Sequence, residues 1–244
     1  RVILVAMRKL FRLTSLLVLL AILSACTVSR VPPQPGPQTG APQRVVKTDV
    51  ATQQFAAVAG RVEPVARSVC RQANTRGSCN FTILIDERPG QGVNAFQTVN
   101  RRGQPILVFT RGIVEEFSNG DEIAFVIGHE AAHHIEGHLT QRAQAAGALG
   151  AALEAAAAAS GAPSSGRESA SQLGQAVGAR VFSKQFELEA DALGAVIAAR
   201  AGFDPVRGAQ FFIRLPDPGD QFLGSHPPNA ERIRVVREVA AQLN

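Results

Sequence analysis

The sequence predicts a single α+β domain, mostly helical with a small β-sheet, over residues 48–244 of the 244-residue chain. Two observations carry that expectation. Three short runs with strand character, at residues 80–86, 93–99 and 105–110, follow one helical segment and precede further helices. The length left after a leader and a proline-rich stretch, roughly 200 residues, fits one domain.

From Met7 the chain reads Met-Arg-Lys-Leu-Phe-Arg, continues in an apolar run over residues 16–23, and reaches Leu23-Ser24-Ala25-Cys26. A charged start, a short apolar core and small residues before a cysteine make a bacterial lipoprotein signal, so residues 1–25 are expected to be removed and Cys26 lipidated. The run is too short for a membrane span. Thr27 after the cysteine, rather than Asp, fits sorting to the outer membrane of a Gram-negative bacterium, with the domain in the periplasm. The leader holds Arg1, Arg8, Lys9 and Arg12 and no acids, so its removal lowers the net charge from +5 to +1. A nucleic-acid partner therefore loses its support and none is expected, because the basic character belongs to the signal. Residues 26–47 are expected to form a tether. Within it residues 27–43, with the run Val31-Pro32-Pro33-Gln34-Pro35-Gly36-Pro37, favour extended polyproline conformations and, at about 3.1 Å per residue, could lift the domain roughly 50 Å from the bilayer.

Residues 50–73 read as the first helix. Cys70 and Cys79 stand nine apart, and in an oxidising compartment they are expected to close a disulfide loop worth about 2 to 3 kcal/mol rather than to bind metal. The three strands come next. Ser118-Asn119-Gly120-Asp121-Glu122 then reads as a helix start, with Asn119 as cap and Glu122 reaching back to its amide. Ile123, Val126 and Ile127 lead an apolar stripe into His129-Glu130-Ala131-Ala132-His133, which therefore lies mid-helix.

Residues four apart share one helical face, so His129 and His133 can aim two imidazole nitrogens at one zinc ion. Glu130, offset around the helix, suits the general base that takes a proton from a metal-activated water. His134 and His138 repeat the spacing of four, but Ile135 offers no base between them. They are expected in solvent or in packing at the helix end.

Residues 143–159 are almost all alanine and glycine, and Ser160-Gly161-Ala162-Pro163-Ser164-Ser165-Gly166 follows. Such a segment buries little and is expected to dock weakly, either as a surface hairpin or as a movable cover over the zinc cleft. In Phe186-Glu187-Leu188-Glu189-Ala190-Asp191, Glu187 and Asp191 share a face. Glu187 is the expected third ligand, with Asp191 hydrogen-bonding the outer nitrogen of a ligating histidine; Glu189 points roughly the opposite way. The alternative is a solvated acidic face. Gly128, Ala131 and Ala132 on the first helix and Ala190 and Gly194 on the second would let the backbones approach closely. The chain has no tyrosine, so His226 or Arg232, in Ser225-His226-Pro227-Pro228 and the last helix, must donate to the oxyanion if any side chain does. Otherwise His226 is a helix-entry residue and Arg232 a surface cation.

The HExxH run, the Glu187 to Asp191 pair, and Ser-His-Pro-Pro followed by Arg232 resemble the zinc metallopeptidase family that includes the HtpX heat-shock protease, the CAAX prenyl protease and the mitochondrial Oma-type protease. Val93-Asn94-Ala95-Phe96 is similar to the family's Asn-Ala-Phe strand, and residues 106–112 to the strand and turn that follow. The resemblance runs from about residue 50 to the C-terminus and is strongest to soluble envelope lipoproteins, since the family's multiple membrane helices are missing. It implies a zincin-like (gluzincin) fold and one zinc on His129, His133 and Glu187. It further implies Glu130 as base, Asp191 as an outer partner, a site completed by His226 and Arg232, and Asn94, Ala95 and Phe96 as a substrate-binding strand. The expected activity is endopeptidase action on misfolded or unassembled envelope polypeptides; the alternative is a lipoprotein chaperone or assembly factor with a latent protease site.

Overall fold

The computed structural model describes residues 43–73, 77–181, 183–216 and 227–243, with side chains from residue 50 onward. The expected signal, Cys26, nearly all of the expected tether, and His226 lie outside the described residues.

Helix α1 spans Gln43–Gln72 and so starts inside the stretch expected to be tether. The reason is local. No proline falls between Pro42 and Pro64, and Gln43, Arg44 and Lys47 are good helix formers. Its buried stripe, Phe55, Val58, Val62, Ala66, Val69 and Cys70, recurs every three or four residues. A disulfide from Cys70 to Cys79, with Cα atoms 5.7 Å apart, ties the end of this helix to the chain entering the sheet.

Strands β1 (Thr82–Asp86), β2 (Ala95–Val99) and β3 (Pro105–Thr110) form a sheet in the order β1-β3-β2. β1 runs parallel and β2 antiparallel to β3. Alternation along β3 buries Leu107 and Phe109 completely, as period-2 patterning requires. Thr110 ends the strand and caps α2 (Arg111–Glu116) by accepting the Ile113 N–H. Its hydroxyl also accepts from Asn94 N at 3.0 Å, which fixes the chain entering β2.

Helix α3 (Gly120–Ile135) is the spine of the domain and is buried along most of its length. Asn119 caps it as expected, accepting from Asp121 N and Glu122 N at 3.0 and 3.1 Å. Glu122 reaches one residue further back than the expected capping box, to Ser118 N at 2.8 Å, and receives a two-pronged ion pair from Arg214 at 2.7 and 2.6 Å. Helix α6 (Ser183–Arg200) crosses α3 where glycine faces glycine. A Cβ on Gly128 would stand 2.7 Å from the Gly194 carbonyl oxygen, and one on Gly194 would stand 2.8 Å from His129 N. Only hydrogen side chains permit that crossing.

Between these helices, α4 (His138–Ala159) and α5 (Ser164–Gly178) pack on each other as a hairpin. Small residues let them close: a Cβ at Gly174 would meet the Leu149 carbonyl at 2.5 Å. The alanine-rich segment is thus part of a self-packed arm, and of the α4–α5 hairpin only His138, Leu139 and Arg142, in the first turns of α4, line the cleft described below. Two single-turn helices, α7 (Pro205–Gly208) and α8 (Phe211–Arg214), precede α9 (Asn229–Leu243), which packs on α6 and buries Arg232 and Val236. No helix among the described residues is long and apolar enough to cross a membrane.

Candidate active site

The spacing of four on α3 brings His129 and His133 together with their Nε2 atoms 3.1 Å apart. From α6, Glu187 brings Oε2 to 3.4 Å from His129 Nε2 and Oε1 to 3.4 Å from His133 Nε2. Around a tetrahedral zinc, with bonds of about 2.0 to 2.2 Å, neighbouring donor atoms lie roughly 3.3 to 3.6 Å apart; here each oxygen of the Glu187 carboxylate faces one histidine nitrogen, and the three groups stand close enough to share one ion. This is the only trio of its kind among the described residues. The electrostatics also call for a cation. Burial opposes charge on His129, but Asp191 and Glu187 outweigh it and raise its pKa to about 10, so without a metal the site holds a proton. The donor set therefore fits zinc.

Behind His129 stands Asp191, fully buried, with Oδ1 2.9 Å from Nδ1. The carboxylate can only accept, so His129 donates from Nδ1 and keeps its Nε2 lone pair for the metal. Arg232 grips the same carboxylate through Nε and Nη2, each at 2.7 Å. Its guanidinium lies over the Phe212 ring, 3.7 Å from the centroid, and Nη2 is 3.4 Å from Glu187 Oε2. Burial works against the arginine charge, yet Asp191 holds its pKa above the ordinary value. Arg232 is thus buried rather than a surface cation, and the Nε–Nη2 edge of its guanidinium is committed to Asp191, which gives it a positioning place.

Glu130 is buried beside the ligands, and burial is the main cause that raises its pKa. A carboxylate pushed up in this way is a better proton acceptor, the requirement for a general base. The cleft in front of it, about 190 Å³, is lined by Ala95, Phe96 and Gln97 of β2 and by Leu139 and Arg142 of α4. A second cavity of about 200 Å³ reaches His129, Glu130 and Glu187 past Asn94, Ala95, Phe211 and Phe212. Asn94, Ala95 and Phe96 thus border the ligands. β2 is a sheet edge, with its outer backbone groups unpaired by any strand among the described residues.

Two expectations need correction. His138 is not in solvent or in mere helix-end packing. It is 1 % exposed, stacked on Phe186 with ring centroids 4.3 Å apart, and its Nδ1 lies 2.9 Å from His133 Nδ1. Burial, reinforced by His133, lowers its pKa to about 4, so the ring is neutral. Nor does Glu189 point away: its Oε2 is 3.0 Å from His138 Nε2. His134 is part-buried, bonded to the Ser78 carbonyl at 2.8 Å and edge-on to Phe81, and so docks the disulfide loop on α3. The spacing of four misled because α3 ends at Ile135 and Gly137, at φ 72°, redirects the chain.

The mostly helical fold with its small sheet, and the two-histidine, one-glutamate donor set with an adjoining buried glutamate, define a metallopeptidase-type centre. The chain belongs to Peptidase family M48, whose profile matches residues 53–240. It is similar to two proteins called mitochondrial metalloendopeptidase OMA1. One, from Arabidopsis thaliana, is 27% identical over 137 residues, 54% of this chain and 27% of the relative. The other, from Schizosaccharomyces pombe, is 29% identical over 142 residues, 56% of this chain and 41% of the relative. The matches therefore span less than half the length of these relatives.

Proposed function

We propose that the protein is a zinc-dependent endopeptidase of the bacterial envelope that cleaves unfolded or unassembled polypeptides. The observation that carries this reading is the convergence of His129, His133 and Glu187, close enough to share one ion, beside the buried Glu130. One zinc per chain, when bound, supplies Lewis-acid polarisation of a peptide carbonyl and acidifies a water. Glu130 accepts a proton from the attacking water and returns it to the leaving amine. The edge of β2 aligns an extended substrate by strand addition, with Asn94, Ala95 and Phe96 alongside it. His226 serves the oxyanion, while Arg232 and Asp191 hold His129. Lipidation of Cys26, read from the leader, would tether the domain at the membrane.

The test uses full-length protein and unfolded casein. Cleavage that a chelator abolishes and zinc restores supports the reading, as does release of a Cys26→Ser variant from membranes. Cleavage indifferent to chelation, or none under any condition, rejects the endopeptidase assignment; an unlipidated Cys26 rejects the location.

A further inference from the structure

We propose that His138 and Glu189 form a positioning relay that fixes the tautomer of His133 and so aims its Nε2 lone pair at the metal. The proposal rests on the reading of His133 as a ligand. Neither relay residue is itself offered as a ligand.

Proton bookkeeping gives the direction. The Glu189 carboxylate has no proton to donate, so the 3.0 Å contact from its Oε2 requires the His138 proton to sit on Nε2. Glu189 is held in turn by Gln185, whose Nε2 donates to Oε1 at 2.8 Å, so both carboxylate oxygens are occupied. A neutral imidazole protonated on Nε2 presents a bare Nδ1. That atom faces His133 Nδ1 at 2.9 Å, and such a contact forms only if His133 carries its proton there. His133 is then left with an unprotonated Nε2 directed at His129 Nε2 and Glu187, where a metal would sit. The reverse polarity would place a proton on His133 Nε2 and block ligation. Phe186, stacked on His138 with a 15° interplanar angle, sets the ring plane.

Each ligating histidine thus has a carboxylate-ended support, built differently on the two sides. Asp191 on the His129 side is fully buried and neutralised by Arg232. Glu189 on the His133 side has 41% of its side chain exposed and acts through a second imidazole. The outer partners of metal-binding histidines typically contribute about 10- to 100-fold in metal affinity.

The test measures zinc affinity by chelator competition in His138→Leu and His138→Gln, together with long-range proton–nitrogen NMR of the histidine rings in the zinc-loaded wild type. Leucine fills the space against Phe186 but accepts no hydrogen bond, whereas the glutamine amide oxygen can accept from His133. The relay predicts a loss of about 10- to 100-fold for leucine and recovery of most of it by glutamine. A packing role predicts the opposite order. In the spectra the relay requires His138 protonated on Nε2 and bare at Nδ1. A His138 proton on Nδ1, or zinc held by His138→Leu as tightly as by wild type, overturns the relay while leaving the metal site standing. Spectra in which zinc does not perturb His133 Nε2 overturn both.

Discussion

Gly128→Ala should separate the geometry of the metal site from its chemistry, because residue 128 touches no ligand atom yet sets the distance between the two ligand-bearing helices. The added Cβ would lie 2.7 Å from the Gly194 carbonyl oxygen, where ordinary contact begins near 3.4 Å. The backbones must therefore part by about 0.7 Å at the crossing. Metal–ligand distances tolerate only about 0.2 Å, so Glu187 on α6 can no longer close the triangle with His129 and His133. Two opposed terms act on folding stability: overpacking costs about 1 to 3 kcal/mol, and replacing a mid-helix glycine by alanine returns about 1 kcal/mol. A net loss of about 0 to 2 kcal/mol lowers Tm by up to about 8 °C for a domain of this size. Zinc affinity should fall by at least about 10-fold, well beyond what the stability change explains. Thermal melts of the metal-free protein with chelator competition for zinc measure both. A variant that melts higher than wild type and keeps its zinc affinity would refute the argument that this crossing positions Glu187.

Glu187→Ala should abolish stoichiometric zinc while the fold persists; zinc retained at one per chain would mean that another group completes the site. The metal-free protein should lose stability as pH rises from 6.5 to 10. His129 is raised to about 10, so the folded state keeps a proton that the unfolded state has shed, a contribution fully present below 6.5 and gone above 10. Zinc displaces that proton, so the Tm gain on adding zinc should grow over the same window; a gain that shrinks as pH rises contradicts this. Replacing Cys70 by serine should cost about 2 to 3 kcal/mol, the entropy of a nine-residue loop, seen as a Tm drop of about 4 to 12 °C. An unchanged Tm would show that the loop is held by other contacts, such as His134 on Ser78.

Most of the candidate site's geometry was legible because it depends on spacing within single helices. The Asn119 cap sets the phase of α3, and a period of 3.6 does the rest for His129, Glu130 and His133. The same rule on α6 puts Glu187 and Asp191 on one face, and both meet the histidines. The rule fails at a chain reversal. His138 follows the left-handed Gly137, so its position relative to His133 depends on a turn whose direction the spacing does not encode. Glu189 was misread for a related reason: its partner belongs to another helix, and helix phase alone does not say which neighbour a long side chain reaches. The packing of α4 on α5 was hidden too, since the contact is made by glycines and alanines that carry no apolar periodicity. Arg232 could be found as a residue type but not as a role, because its pairing with Asp191 spans 41 residues.

The most direct test of the account is the cleavage rate of unfolded casein by zinc-loaded wild type and by Glu130→Gln at equal, verified zinc content. The amide preserves shape and leaves His129, His133 and Glu187 intact, but it cannot accept a proton. The account predicts full zinc in both proteins and a rate at least about 100-fold lower for the variant. Equal zinc with cleavage within a few-fold of wild type would contradict the assignment of Glu130 as the base, and with it the mechanism.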